Sequence, residues 1–201
     1  MKLSIPNVRG ALVSFGRRAS LLVVLTIMVG CASVKMPAPA ATAGSVESLR
    51  SAGLAPAAAG AFVLAPGKPA DMDRTLGGLR GSSVSAASGS FAQQLKEQLV
   101  ADLSAAGLYD PSSNIIVEAA LTDSRVDAAI GTGTGRLAAR FKVQRAGKTV
   151  YDKELAAEAQ WESSFVGAIA LPAAVNQYMA FYPALTRKLF DDAEFRAALK
   201  K

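Results

Sequence analysis

The 201-residue chain contains no histidine and a single cysteine. Without imidazole it cannot assemble the usual zinc or copper ligand sets or a histidine-based catalytic triad, and without a second thiol it cannot form an internal disulfide. Aromatic residues make up 6% of the chain and include one tryptophan. The first 30 residues hold no acidic residue. No apolar run reaches the roughly 20 residues a membrane-spanning helix needs: the stretch from Ala19 to Gly30 is about a dozen. These absences predict a protein that is not an enzyme and needs no cofactor.

Charge first suggests a nucleic-acid partner and then withdraws it. The net charge is +6, from 22 basic and 16 acidic residues, and the isoelectric point is near 9.6. Four of the basic residues are Lys2, Arg9, Arg17 and Arg18. Downstream of position 30 the balance is near neutral, so the electrostatic footprint of nucleic-acid binding is missing.

What is present begins with that leader. A basic segment precedes the apolar run Leu21–Val29, which ends at Met28-Val29-Gly30-Cys31. This is the order of a secretory signal with a small-residue cleavage site. The box resembles that of bacterial lipoproteins, in which the cysteine thiol is joined to diacylglycerol and becomes the first residue. The resemblance makes residues 1–30 a signal peptide and Cys31 the lipidation site. It implies a palmitate-type lipid anchor in membrane lipid, holding the protein because each buried methylene contributes about 0.8 kcal/mol and two or more chains anchor stably. Ala32 and Ser33 follow without an aspartate, which resembles the outer-membrane sorting pattern and places the protein on that membrane, facing the periplasm.

Residues 31–44 then read as a lipidated N-terminus and a Pro/Ala tether, too poor in large apolar residues to pack, and 45–201 as the folded periplasmic domain. Helical spacing of Val46 and Leu49 predicts a short helix over 45–54, and Ala61–Ala65 a first strand. Residues 68–90, rich in Ser, Thr and Gly with only Leu76 and Leu79 as anchors, predict a long loop, either a solvated connection or a functional one. Ser90 is an N-cap for an amphipathic helix carrying Phe91, Leu95, Leu99 and Leu103, with Gln94, Lys96, Glu97 and Asp102 on its other faces and Gly107 as its stop. Alternation predicts strands from Ile115 to Leu121, from Arg136 to Gln144 and from Thr149 to Trp161. Arg140 and Lys142 then lie across from acids of the next strand in an antiparallel hairpin with one wet face. A last helical region over 172–188 carries Val175, Tyr178, Met179, Tyr182 and Leu185, with Pro183 bending or splitting it and Asp191 or Asp192 capping a short terminal helix. The order predicts a single small α+β domain with helices packed on one face of a mostly antiparallel sheet.

Several constellations invite a chemical reading. Gly131-Thr132-Gly133-Thr134-Gly135 resembles a phosphate-cradling loop, but a strand pattern follows it rather than a helix, and a hairpin connection fits better. Asp123, Asp127, Glu154, Glu158 and Glu162 could pair for acid-base work, but the three glutamates fall on the solvated side of a strand. Ser82, Ser83, Ser85, Ser88 and Ser90 have no histidine to activate them and form no Ser-x-x-Lys. Trp161, Phe165 and Ile169, in the run joining the last strand to the last helix, either plug the end of the core or form an apolar surface for a protein partner or an acyl chain.

The layout of Cys31, spacer, strand, the Phe91-Ala92-Gln93-Gln94-Leu95 helix ending Ala105-Ala106-Gly107-Leu108, three strands and a Tyr-bearing helix resembles small Gram-negative outer-membrane lipoproteins, in particular the auxiliary lipoproteins of ABC-type transport systems with a TolB-N-terminal-like α/β fold. The resemblance spans about residues 60 to 195. It implies a non-enzymatic accessory or interaction module with an envelope protein partner. The alternative is a lipoprotein that binds lipid or another small ligand, which needs an apolar cavity between helix 91–106 and the sheet.

Overall fold

The computed structural model describes residues 33–201. Its framework is a four-stranded sheet in the order β2-β5-β6-β7, formed by β2 (Ala58–Leu64), β5 (Ile115–Asp127), β6 (Gly131–Arg145) and β7 (Lys148–Ser163). The last three strands are an antiparallel meander, while β2 runs parallel to β5. A parallel neighbour requires a crossover, and the chain makes it through the residues between β2 and β5. Along β6, Leu137, Ala139, Phe141 and Val143 are buried, as the alternation predicts. On the other face Arg140 lies opposite Glu154 and Lys142 opposite Asp152. The α+β class, the hairpin and its wet face are therefore as expected.

Helix α2 (Phe91–Ala106) spans the crossover. The Ser90 side chain accepts from Gln93 N–H at 3.1 Å, and Gly107 closes the helix at φ 76°. Phe91, Leu95, Leu99 and Leu103 are all buried against the sheet. Helix α3 (Gly167–Asp191) packs beside it on the same face, against β6 and β7. It starts earlier than the spacing predicts and runs through Pro183 without splitting. An interior proline costs about 3 kcal/mol, but Tyr178, Tyr182, Leu185 and Leu189 are all buried on either side of it, so packing outweighs the lost bond. The two tyrosines share a hydroxyl chain, Ser124 to Tyr178 at 2.7 Å and Tyr178 to Tyr182 at 3.1 Å. Burial pushes both phenols above their ordinary range. Helix α1 (Ala43–Ser51) lies over α2 and α3, and Asp192 caps the terminal α4 (Ala193–Ala198), accepting from Glu194 and Phe195 N–H.

Two expectations about Gly- and Ser-rich segments are overturned. Residues 68–90 are not a structureless loop: a 3-10 turn (Ala70–Asp73) leads into β3 (Leu76–Leu79) and β4 (Ser82–Ser85). Leu76, Leu79 and Val84 are buried, and three such anchors suffice to fold the hairpin onto the end of β5. The Gly131–Gly135 run is not the connection either; it is the first third of β6. Its glycines are there for space. A Cβ on Gly135 would stand 2.6 Å from the Phe181 ring, and one on Gly133 would stand 2.4 Å from the Trp161 indole. Two aromatic rings thus lie against bare backbone.

Candidate functional site at the chain entry

The described part of the tract, from Ser33, is held against the domain rather than free as a tether. Ser33–Lys35 form β1, which pairs parallel to β4 with Ser33 opposite Ser83, giving a second sheet in the order β1-β4-β3. Met36 is buried, and its N–H donates to Ser85 C=O at 2.9 Å. Beyond it a polar row on α2 receives the backbone. Gln94 Nε2 donates to Pro37 C=O at 2.8 Å, Gln98 Nε2 to Ala40 C=O at 3.0 Å, and Asp102 Oδ1 accepts from Thr42 N–H at 2.9 Å. The other Asp102 oxygen accepts from Gln98 Nε2 at 3.1 Å and Thr186 Oγ1 at 3.0 Å. Gln94 and Asp102, expected on faces other than the apolar stripe, are therefore buried with Gln98. Sequence reading missed this row. Its signal was there: Gln94, Gln98 and Asp102 recur at i, i+4, i+8 beside the apolar stripe.

Because β1 is parallel to β4, the chain enters at the end of the small sheet marked by the Arg80–Gly81 turn. Arg80 is bonded across that end. Nε donates to Ala128 C=O at 2.7 Å, Nη1 to Phe165 C=O at 3.0 Å, and Nη2 to Ser164 C=O at 2.8 Å. One guanidinium thus joins the β3–β4 turn, the β5–β6 turn and the β7–α3 junction. The junction it holds is the run singled out by its apolar content, and the two readings of that run divide. Trp161 packs half-buried on the core against Gly133. Phe165 and Ile169 do not plug anything: they are 78% and 61% exposed, with Val166 at 51% and Ile130 at 65% beside them. Ile130, Phe165 and Ile169 line one groove together with Gly131 and Glu162.

On the other side of the first turns of α3 lies an apolar cleft of about 390 Å³. Val34 of β1, Leu79 and Val84 of the β3–β4 hairpin, and Leu171, Val175 and Met179 of α3 line it. The cavity that the ligand-binding alternative required between α2 and the sheet is instead filled by Leu95, Leu99, Leu103, Val117 and Phe141, all buried in one core cluster. Any ligand space is therefore displaced to the entry side of α3.

The remaining candidates are dispersed. Arg136 pairs with Glu158 and, at 3.2 Å, with Asp123, which Arg125 also meets at 3.4 Å, so these acids are ion-paired on the wet face of the sheet. Glu154 stands 4.0 Å from the same arginine, while Asp127 and Glu162 are exposed. Ser82, Ser83 and Ser85 lie in β4, Ser88 bonds to Ser90 C=O, and Ser90 caps α2. Among the described residues no three metal-ligating side chains of the His, Cys, Asp and Glu types come together, and no helix is long and apolar enough to cross a membrane. Cys31 and the leader 1–30 lie outside the described residues.

The described residues thus form an α+β domain with a docked N-terminal tract and an apolar entry end. No protein-family model matches the chain, and no curated protein matches it. Among solved structures it is similar to a Xanthomonas campestris protein of the family DUF330, with a TM-score of 0.47 and 10% identity over 79% of this chain and 90% of that one. It is also similar to a Caulobacter crescentus CB15 protein described as a candidate lipoprotein, with a TM-score of 0.42 and 13% identity over 77% of this chain and 94% of that one. Neither description specifies a transport system or a TolB-like fold.

Proposed function

We propose that this is a lipid-anchored envelope lipoprotein, joined to the outer membrane through Cys31 and acting as a non-enzymatic accessory that docks on other envelope components. The observation that carries the reading is the position of the cysteine. It follows a leader with the order of a secretory signal, and the first strand of the domain starts at Ser33, two residues later. Two residues reach at most about 7 Å, so a lipid on Cys31 would hold the entry end at the membrane, with the rest of the domain projecting away from it. An exposed apolar cluster and carboxylates that are dispersed or ion-paired suit docking better than turnover. The layout's resemblance to the ABC-transport auxiliary lipoproteins supports a role beside a lipid-transport assembly.

The test joins chemistry to partners. Intact protein from the native envelope should carry the mass of diacylglycerol on Cys31 and label with palmitate, and Cys31→Ala should lose both along with membrane fractionation. Brief crosslinking before mild detergent extraction should bring down a stoichiometric envelope protein. Membrane partitioning that survives Cys31→Ala unchanged defeats the anchor, and an intact anchor with no protein partner defeats the accessory role. The second reading, a lipid- or small-ligand-binding lipoprotein, is favoured by the 390 Å³ cleft lined by Val34, Leu171 and Met179. It predicts a retained lipid in the purified protein and no stoichiometric protein partner.

A further inference from the structure

Four of the seven exposed large apolar side chains of the described residues, Ile130, Phe165, Val166 and Ile169, gather at one end of the domain. They come from two segments far apart in the chain, the β5–β6 turn and the β7–α3 junction, so their meeting is a product of the fold. The junction that presents them is tied down: Arg80 binds the carbonyls of Ser164 and Phe165 and, across the gap, that of Ala128. Val166 N–H is also held, donating to Ser164 Oγ at 3.1 Å. The backbone of the junction is thus fixed, and in that conformation the Phe165 ring stands in water.

What covers this end is indicated by where the chain comes in. Ser33 pairs opposite Ser83 with β1 parallel to β4, so the approaching chain comes from the side of the Arg80–Gly81 turn, whose arginine holds the Phe165 junction. Ser33, the first described residue, therefore lies at the apolar end, and the opposite end, where the Arg145–Lys148 turn closes the sheet, is remote from it. The groove itself offers nothing to attract an anionic surface: Glu162 is its one charged lining residue, and no basic residue lines it.

We propose that Ile130, Phe165, Val166 and Ile169 form a membrane-contact face that seats the entry end of the domain in a lipid surface of neutral headgroups. This rests on the Cys31 anchor proposed above and goes beyond it: the anchor holds the entry end near the surface, whereas the face sets the domain's tilt and rotation about that tether. Contact of this kind is apolar and does not weaken with salt, unlike attraction of basic residues to anionic lipid.

The single cysteine makes the test direct, because a lipidated Cys31 has no free thiol. Full-length lipoprotein carrying Val166→Cys or Lys148→Cys is labelled with a bimane maleimide and reconstituted into phosphatidylethanolamine–phosphatidylcholine vesicles. Both positions are exposed, and both substitutions leave Phe165 and Ile169 in place. The label at 166 should be quenched by brominated acyl chains and at least fivefold less accessible to iodide than the label at 148, at low and at high salt. Equal iodide access at the two positions, in vesicles that float with protein bearing the diacylglycerol mass, overturns the face and leaves the anchor standing. Protection at 166 that occurs only in native envelopes and never in pure lipid assigns the surface to a protein partner and overturns the proposal. Maleimide labelling of Cys31 in the otherwise unaltered chain overturns the anchor and the face together.

Discussion

Two turns of the same backbone close two hairpins of this domain, and they are used very differently. Arg80–Gly81 joins β3 to β4 and Ala146–Gly147 joins β6 to β7; the first residue of each has φ near 50°, at 49° and 50°, and the glycines have φ 87° and 78°. Positive φ at both central positions matches the right-handed twist of the strands, which is why such turns suit two-residue hairpins. A side chain in that region costs roughly 1–2 kcal/mol. At Arg80 the cost is offset by three strong bonds to main-chain carbonyls. At Ala146 the backbone N–H donates to Asn114 C=O at 3.1 Å, and the methyl group is exposed. The strain is tolerated at one end of the molecule because a side chain ties three segments together, and at the other because the long β6–β7 ladder holds the turn closed. Long-range bonds therefore build the entry end, and local strand pairing builds the far end.

The sharpest way to break that contrast is at Asp102, which bonds the entry tract, α2 and α3 at once. Asp102→Ala leaves the half-buried Thr42 N–H without its acceptor and removes one of the two acceptors of the buried Thr186 hydroxyl, which also donates to Pro183 C=O at 3.2 Å, and should cost about 3 kcal/mol in urea unfolding. Hydrogen exchange should accelerate at Met36 and Thr42, with no change at Val143 beside the far turn. Arg80→Ala comes next, at about 2 kcal/mol, because it removes charge-assisted bonds and keeps the backbone strain. Its exchange signature should be confined to residues near 128 and 164–166. Uniform acceleration across both ends would refute the division.

A smaller effect, about 1 kcal/mol, is expected from Asp192→Ala, which removes the N-cap of α4 and the 2.8 Å pair with Lys153. Burial works against the Asp192 carboxylate, but the Lys153 ammonium and the two helix N–H groups hold it below the usual range. A lowered folded value means that the charged form is favoured in the native state. Its contribution is complete above about pH 4, the ordinary aspartate range, and is lost as pH falls through the lowered folded value. Denaturation midpoints of the native and Asp192→Ala chains should accordingly converge in acid. The smallest change has the opposite sign: Ala146→Asn restores the favoured Asn-Gly pair and should raise stability by about 0.5–1 kcal/mol in the same urea titration, without altering exchange at the entry end.

How legible each end was follows from the same distinction. Helix α2 could be read to the residue because all its signals are local: Ser90 before it, Gly107 after it, and Phe91, Leu95, Leu99 and Leu103 four apart. The β6–β7 hairpin was readable from Arg136 onward, since alternation fixes which face is wet and opposite charges lie across from one another. The segment 68–90 was not. Its serines and glycines look like a loop because its few anchors bury themselves against β5, β1 and α3, none of which is near in sequence. Gly133 and Gly135 looked like a flexible connection for a related reason: their meaning is the room they leave for Trp161 and Phe181, and those partners are 28 and 46 positions away.

The candidate site divides along the same line. Composition and order alone determined the absence of histidine chemistry, the near-neutral balance after the leader, the singular Cys31 and the apolar content of the 165–171 run, because each is a property of the residues themselves. That Phe165 and Ile169 face outward is visible only in the fold, where Arg80 binds the Phe165 carbonyl from 85 residues away. Whether the Pro/Ala tract hung free or docked depended on Gln94, Gln98 and Asp102. Side chains that satisfy buried or distant main-chain groups leave no periodic trace in the segments they hold, so only the tertiary structure could bring the entry tract, the arginine and the exposed apolar face to one end of the domain.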